Sequence, residues 1–155
     1  MDHAEKAYEL FLNDYNCAQS VLCAYEDVTG FEPETAARLA SSLGGGMGRL
    51  REVCGAVSAA LLVLGLVCGY SDPGDQEAKT LHYQRVQEYA RRFREANGSI
   101  ICRELLEDVP VTPGDAPEAR TPEYYAQRPC PQLVRQAAAI LDEMLAEEKE
   151  KEERP

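Results

Sequence analysis

The stretch Gly44–Gly69, GGGMGRLREVCGAVSAALLVLGLVCG, decides how this chain folds. Its second half carries no charged residue from Val53 to Gly69, so that part belongs in an apolar environment. It falls short of the about 20 residues needed to cross a bilayer, and Gly55, Ser58 and Gly65 interrupt it. A buried central helix is therefore expected from about Glu52 to Val67, with Ala56, Ala59, Ala60 and Gly65 permitting close helix packing. The first half, Gly44-Gly45-Gly46-Met47-Gly48, is a loop whose backbone can adopt conformations closed to other residues.

Outward from this centre the pattern is helical on both sides. Ala4, Ala7, Tyr8 and Phe11 recur at helical spacing behind a cap at Asp2, and the pattern pauses at Asn13–Asn16. Cys17, Ala18, Val21, Leu22, Tyr25 and Val28 form the apolar face of a second helix that Thr29-Gly30 stops. Pro33 opens a short third helix. Beyond the centre, Asp72-Pro73 reads as a cap before a long helix that ends at Asn97-Gly98, and Ser99–Leu106 reads as a short one. Six prolines break up Glu107–Pro131, apart from a single turn at Thr121-Pro122-Glu123 around Tyr124 and Tyr125. A last helix starts at Cys130-Pro131 and runs out in EEKEKEERP. No strand-period segment longer than a few residues and no internal repeat appears. The expected fold is all-α: a compact single-domain bundle of about five to seven helices, residues 1–147, followed by a charged tail, residues 148–155.

The chain has 155 residues and a formal charge of −11, with 27 acidic against 16 basic residues. Such a field repels phosphate backbones, which argues against nucleic acid as a partner. No basic, apolar and small-residue leader opens the sequence, so a cytoplasmic, reducing location is expected. There, six cysteines serve more often as ligands or catalysts than as staples.

Four of those cysteines sit where helices should begin. Cys17 follows the capping residue Asn16, Cys54 follows the glycine loop, Cys102 comes shortly after Ser99, and Cys130 lies between prolines in RPCPQLV. A helix start offers unpaired N–H groups and partial positive charge, which favour thiolate over thiol. With cations nearby, a thiol pKa can fall from about 8.5 into the range of roughly 3.5 to 7.5. The intervals of 37, 48 and 28 residues give each thiol its own helix start and match no zinc pattern, which takes ligands in close pairs. An iron–sulfur cluster needs four thiolates and N–H donors to offset its charge, and four helix starts aimed at one centre would supply both. A thiol–disulfide pair and four inert apolar cysteines are the competing readings.

Other candidates carry less. Cys23 lies mid-helix and Cys68 at a helix end, where the dipole does not favour thiolate. Arg49 and Arg51 could lower the pKa of Cys54 or screen a cluster. The glycine loop lacks the order of a phosphate-binding loop, which argues against a bound nucleotide. His82 falls on an apolar stripe and reads as packed; of the two histidines the other is His3, and without CxxCH no covalent haem is indicated. No GxSxG or HExxH motif occurs. The proline-rich segment is long for a connection in a compact domain and is expected to cover the cysteine site, with Tyr124 and Tyr125 nearby.

Taken together, NCAQSVL at Cys17, GGGMGRLREVCGAVSAALLVLGL at Cys54, ICRELL at Cys102 and CPQLVRQAA at Cys130 resemble the small redox-active family named for its C…CGAxxG…C…C pattern, over about residues 4–145. A related domain occurs in split-Soret cytochromes. The family's four cysteines map onto Cys17, Cys54, Cys102 and Cys130, the set already chosen from helix starts. Its CGAxxG reads here Cys54-Gly55-Ala56-Val57-Ser58-Ala59, with alanine at the last glycine. The resemblance implies a helical domain with an iron–sulfur or redox role and supplies no reaction.

Three functions follow as expectations. In the first, the four cysteines bind an iron–sulfur cluster, of the 2Fe–2S type, for electron transfer with a redox partner or for redox sensing. In the second, two of them pair reversibly without metal, as in an oxidoreductase. In the third, the chain is a helical interaction module with buried cysteines, and the small-residue helix leaves room for a homodimer.

Overall fold

A computed structural model of the chain describes residues 2–154, with nine α-helices and a single isolated β-bridge among them. Most helix boundaries follow from a local signal. The carboxylate of Asp2 accepts the Glu5 N–H at 2.8 Å and starts α1 (His3–Leu12). A reciprocal capping box starts α2 (Cys17–Ala24): Asn16 Oδ1 accepts from Gln19 N at 2.8 Å while Gln19 Oε1 accepts from Asn16 N at 3.1 Å. The chain breaks at Tyr25 before the four-residue α3 (Glu26–Thr29), which closes on a left-handed Gly30. Pro33 occupies the first turn of α4 (Pro33–Ala40), which passes into a 3₁₀ turn, Ser41–Leu43. After the glycine loop come α5 (Gly55–Cys68) and α6 (Gln76–Asn97), then α7 (Cys102–Leu105). Thr121 caps α8 (Pro122–Gln127) by accepting from Tyr124 N at 3.1 Å, and α9 (Cys130–Glu153) completes the chain.

Helix α5 is the centre. Ala56, Val57, Ala59, Ala60, Val63 and Leu64 are fully inaccessible, and the helix packs on α2, α6 and α9. α1 lies along α9 and α2. Alanines on α5 and on α9 (Ala137, Ala138) let backbones approach, and large side chains fill the remaining space: Phe11, Tyr25, Tyr89 and Phe93 are almost wholly buried. Burying a phenol requires a partner for its hydroxyl. Tyr25 donates to Ala138 O at 2.9 Å and Tyr89 to Ala137 O at 2.7 Å, so both tyrosines register the inner helices against α9. Among the described residues, no helix is long and apolar enough to cross a membrane.

Several boundaries differ from the sequence reading. The nine helices exceed five to seven because the second expected helix breaks at Tyr25 and the expected turn at Thr121 forms the separate α8; the short helix read over Ser99–Leu106 is α7. The cap of α6 is Asp75, which accepts from Ala78 N at 3.0 Å; Asp72 instead turns the chain through Gly74. α5 starts at Gly55 and not at Glu52, because Glu52 and Val53 are drawn into the bridge with Ile101. Residues 148–153, expected as part of the tail, continue α9, and Glu148 pairs with Arg85 at 3.1 Å with both side chains mostly covered.

Candidate redox site

The four cysteines occupy four helix starts. Cys17 is the first residue of α2, Cys54 the N-cap of α5, Cys102 the first residue of α7 and Cys130 the first residue of α9. All four line one cavity of about 280 Å³. Cys23 and Cys68 do not line it. The Cys23 thiol faces Pro33 O at 3.8 Å, and the Cys68 thiol donates to Leu64 O at 3.3 Å.

Two local devices bring the sulfurs together. One is the antiparallel bridge between Val53 and Ile101: Cys54 N donates to Ile100 O at 2.8 Å and Cys102 N to Glu52 O at 2.6 Å. Chain segments far apart in sequence thereby fix Cys54 and Cys102 at the two diagonal ends of one short bridge. The other is the glycine loop, which runs in left-handed conformation through Gly45, Gly46, Met47, Gly48 and Arg49, and again at Arg51. For Met47, Arg49 and Arg51 this is a conformation that costs on the order of 1–2 kcal/mol per residue, so the loop is held by its surroundings. Gly46 is required on two counts, with φ 67 and with the position its Cβ would take lying 2.7 Å from Cys102 Cβ. Gly55 is required by proximity alone: a Cβ there would sit 2.6 Å from Leu43 O and 2.7 Å from the Cys17 sulfur.

The thiols are inequivalent. The Cys54 thiol adjoins the Cys17 sulfur and, with the N–H groups of Gly45, Ala18 and Gly55, lowers the Cys17 pKa to about 6 against the cost of burial. The same contact, together with burial, pushes Cys54 up although the Ala56 and Val57 N–H groups oppose it. Burial raises Cys102, against the pull of Arg51, whose Nη1 is 3.7 Å from the Cys102 sulfur. Burial and the neighbouring Cys17 raise Cys130 to about 12, against the pull of Arg128. Burial also raises Cys23 and Cys68.

Four arginines line the cavity: Arg49, Arg51, Arg120 and Arg128. In a chain of net charge −11 this is a local gathering of arginines, of which Arg51 and Arg128 stand beside the sulfurs of Cys102 and Cys130. Arg51 contacts Cys102, while Arg49 turns to the proline-rich segment and holds its carbonyls. Arg120 and Arg128 escaped the sequence reading. Arg120 stacks on Phe11 at 4.4 Å and Tyr124 at 5.0 Å and donates to Phe11 O and Tyr15 O. Arg128, buried, stacks on Tyr124 at 4.7 Å and pairs with Glu118. The signal for Arg128 lay in RPCP, two residues before Cys130, the same proximity that singled out Arg51. The proline-rich segment does line the cavity, through Asp115, Pro117, Glu118 and Arg120, as does Tyr124. Tyr125 stands behind, edge-on to Phe11 and Tyr124. His82 is packed beside Tyr70, away from the thiols. No group of three or more His, Cys, Asp or Glu side chains among the described residues is gathered tightly enough to hold a single metal ion.

An all-helical domain whose thiols converge from four helix starts onto one arginine-rich cavity defines a class of cysteine-site protein. Residues 15–144 match the family described as "Putative redox-active protein (C_GCAxxG_C_C)", and the chain belongs to that family. No curated protein and no solved structure matches the chain.

Proposed function

We propose that this chain is a redox protein in which Cys17, Cys54, Cys102 and Cys130 hold an iron–sulfur cluster for electron transfer or redox sensing. The observation that carries the reading is the convergence of four thiols, one from each of four helix starts, on one cavity. The donor set fits: four thiolates are what such clusters take. A lone tetrahedral ion with metal–sulfur bonds of about 2.3 Å needs its sulfurs within about 4 Å of one another. A cluster shares its thiolates among several irons and accepts a wider set. Bound there, the cluster would supply one-electron chemistry. The chain's own residues supply the rest: N–H groups of Gly45, Ala18 and Gly55 on Cys17, those of Ala56 and Val57 on Cys54, and the charges of Arg51 and Arg128 beside Cys102 and Cys130.

The contact between Cys17 and Cys54 favours a second reading. A thiolate at Cys17 and a thiol at Cys54 would close to a disulfide, passing two electrons and one proton to the disulfide of a partner, which becomes one thiol and one thiolate. Anaerobic purification and reconstitution, followed by iron and sulfide analysis, separate the two. The cluster reading expects stoichiometric iron and sulfide and a visible absorbance that Cys17→Ser abolishes and Cys23→Ser leaves intact. An iron-free, colourless protein that loses two titratable thiols on oxidation overturns it in favour of the disulfide.

A further inference from the structure

We infer that residues 110–121 are a hinged cover on the cysteine cavity, held shut by Arg49, and that small molecules reach the thiols by its opening. The segment has no helix or strand, and all of its residues except Glu118 and Arg120 are exposed. Apolar burial therefore contributes little to holding it in place, and such segments open locally at low cost. What fixes it is polar and charged. The Arg49 guanidinium donates to the carbonyls of Thr112 at 2.9 Å, Gly114 at 3.0 Å and Ala116, and approaches the Glu118 carboxylate at 3.6 Å. Glu118 accepts from Thr112 N at 2.6 Å, folding the segment into a compact turn, and pairs with Arg128 on the opposite wall.

The two ends of the segment are held unequally. Arg120 is sandwiched by aromatic rings and bonded to the end of α1, which makes it the hinge. Arg49 is the latch. It belongs to the strained loop that serves the thiols, and its stem lies against Gly45, where a Cβ would be 2.8 Å from Arg49 Cγ. Gly45 N–H is one of the donors to Cys17. Release of the latch thus uncovers the cavity and frees the stem from a residue that holds Cys17. A planar fork that donates to three carbonyls is a use of arginine that lysine cannot reproduce. The inference depends on the shared cavity and on no assumption about the cluster, so iron binding and gating fail independently.

Iodoacetamide labelling of the full metal-free chain, mapped by peptide mass spectrometry, tests it with Cys23 and Cys68 as internal references outside the cavity. Arg49→Ala is expected to raise the Cys17 labelling rate at least tenfold with Cys23 and Cys68 within twofold of the parent, and Arg49→Lys to fall between. Hydrogen exchange should quicken across 110–121 and not in α5. Glu118→Gln, which leaves the glycine loop untouched, is expected to give a smaller rise of about threefold. An unchanged Cys17 rate in either Arg49→Ala or Glu118→Gln overturns the inference, as does a parallel rise at Cys23 and Cys68.

Discussion

At the scale of the residue, Cys17 is the most activated thiol of the chain. Because thiolate is the nucleophile, its labelling rate should rise through pH about 6 and level off above it, whereas Cys130, raised to about 12, stays unreactive through neutral pH. The same shifts act on stability. In the unfolded chain both thiols titrate near pH 8.5. The folded pKa of Cys17 is depressed, so its contribution is present above about 8.5 and is lost as pH falls through about 6. That of Cys130 is raised, so its contribution is present below about 8.5 and is lost as pH climbs toward about 12. The metal-free domain should accordingly show a falling urea midpoint from pH 8.5 to 10.5, and Cys130→Ala should make that limb shallower, the rest being carried by the other raised thiols. An alkaline limb as steep in the variant as in the parent would show that other groups carry it.

At the scale of the element, the start of α5 sets two demands against each other. Alanine is a better helix former than glycine by up to about 1 kcal/mol, so Gly55→Ala should stabilise an isolated helix. Here its methyl meets the Leu43 carbonyl at 2.6 Å and the Cys17 sulfur at 2.7 Å, and a backbone carbonyl cannot swing aside. Overpacking of this kind costs about 1–3 kcal/mol, so the clash wins and a net loss of about 1–2 kcal/mol is expected in urea unfolding, with Cys17 labelling altered. A midpoint equal to or above the parent's would refute this. Element starts were also the most legible part of the sequence. Asn16 with Gln19, Thr121 before Pro122 and Pro131 after Cys130 each act through neighbours within a few residues, so the pattern marks them. Asp72-Pro73 misled because Gly74 lets the chain turn once more, leaving Asp75 to cap α6. The roles of Arg120, Glu118 and the left-handed Met47, Arg49 and Arg51 were not legible, since each is fixed by partners distant in sequence or by strain that no local propensity encodes.

At the scale of the whole molecule, the fold is a rigid helical body with a site assembled at its helix starts. The body was readable from the charge-free stretch that became α5 and from the spacing of Phe11, Tyr89 and Phe93; the way the thiols meet was not, because it depends on one bridge of two residues. That bridge divides the connections between helices into two kinds. Residues 110–121 take no part in the bridge, so a change in their length is expected to leave the pairing of Val53 with Ile101, and with it the direction of Cys102, in place. The three residues Ser99–Ile101 cannot change in length, because they align Ile101 with Val53 and fix where the next side chain points. One extra glycine inserted after Gly98 should preserve helical circular dichroism while turning Cys102 away from the other thiols, whereas one inserted after Gly114 should preserve both the dichroism and the direction of Cys102. Tolerance to insertion, counted residue by residue, would thus trace which connectors act as rulers and which only as slack.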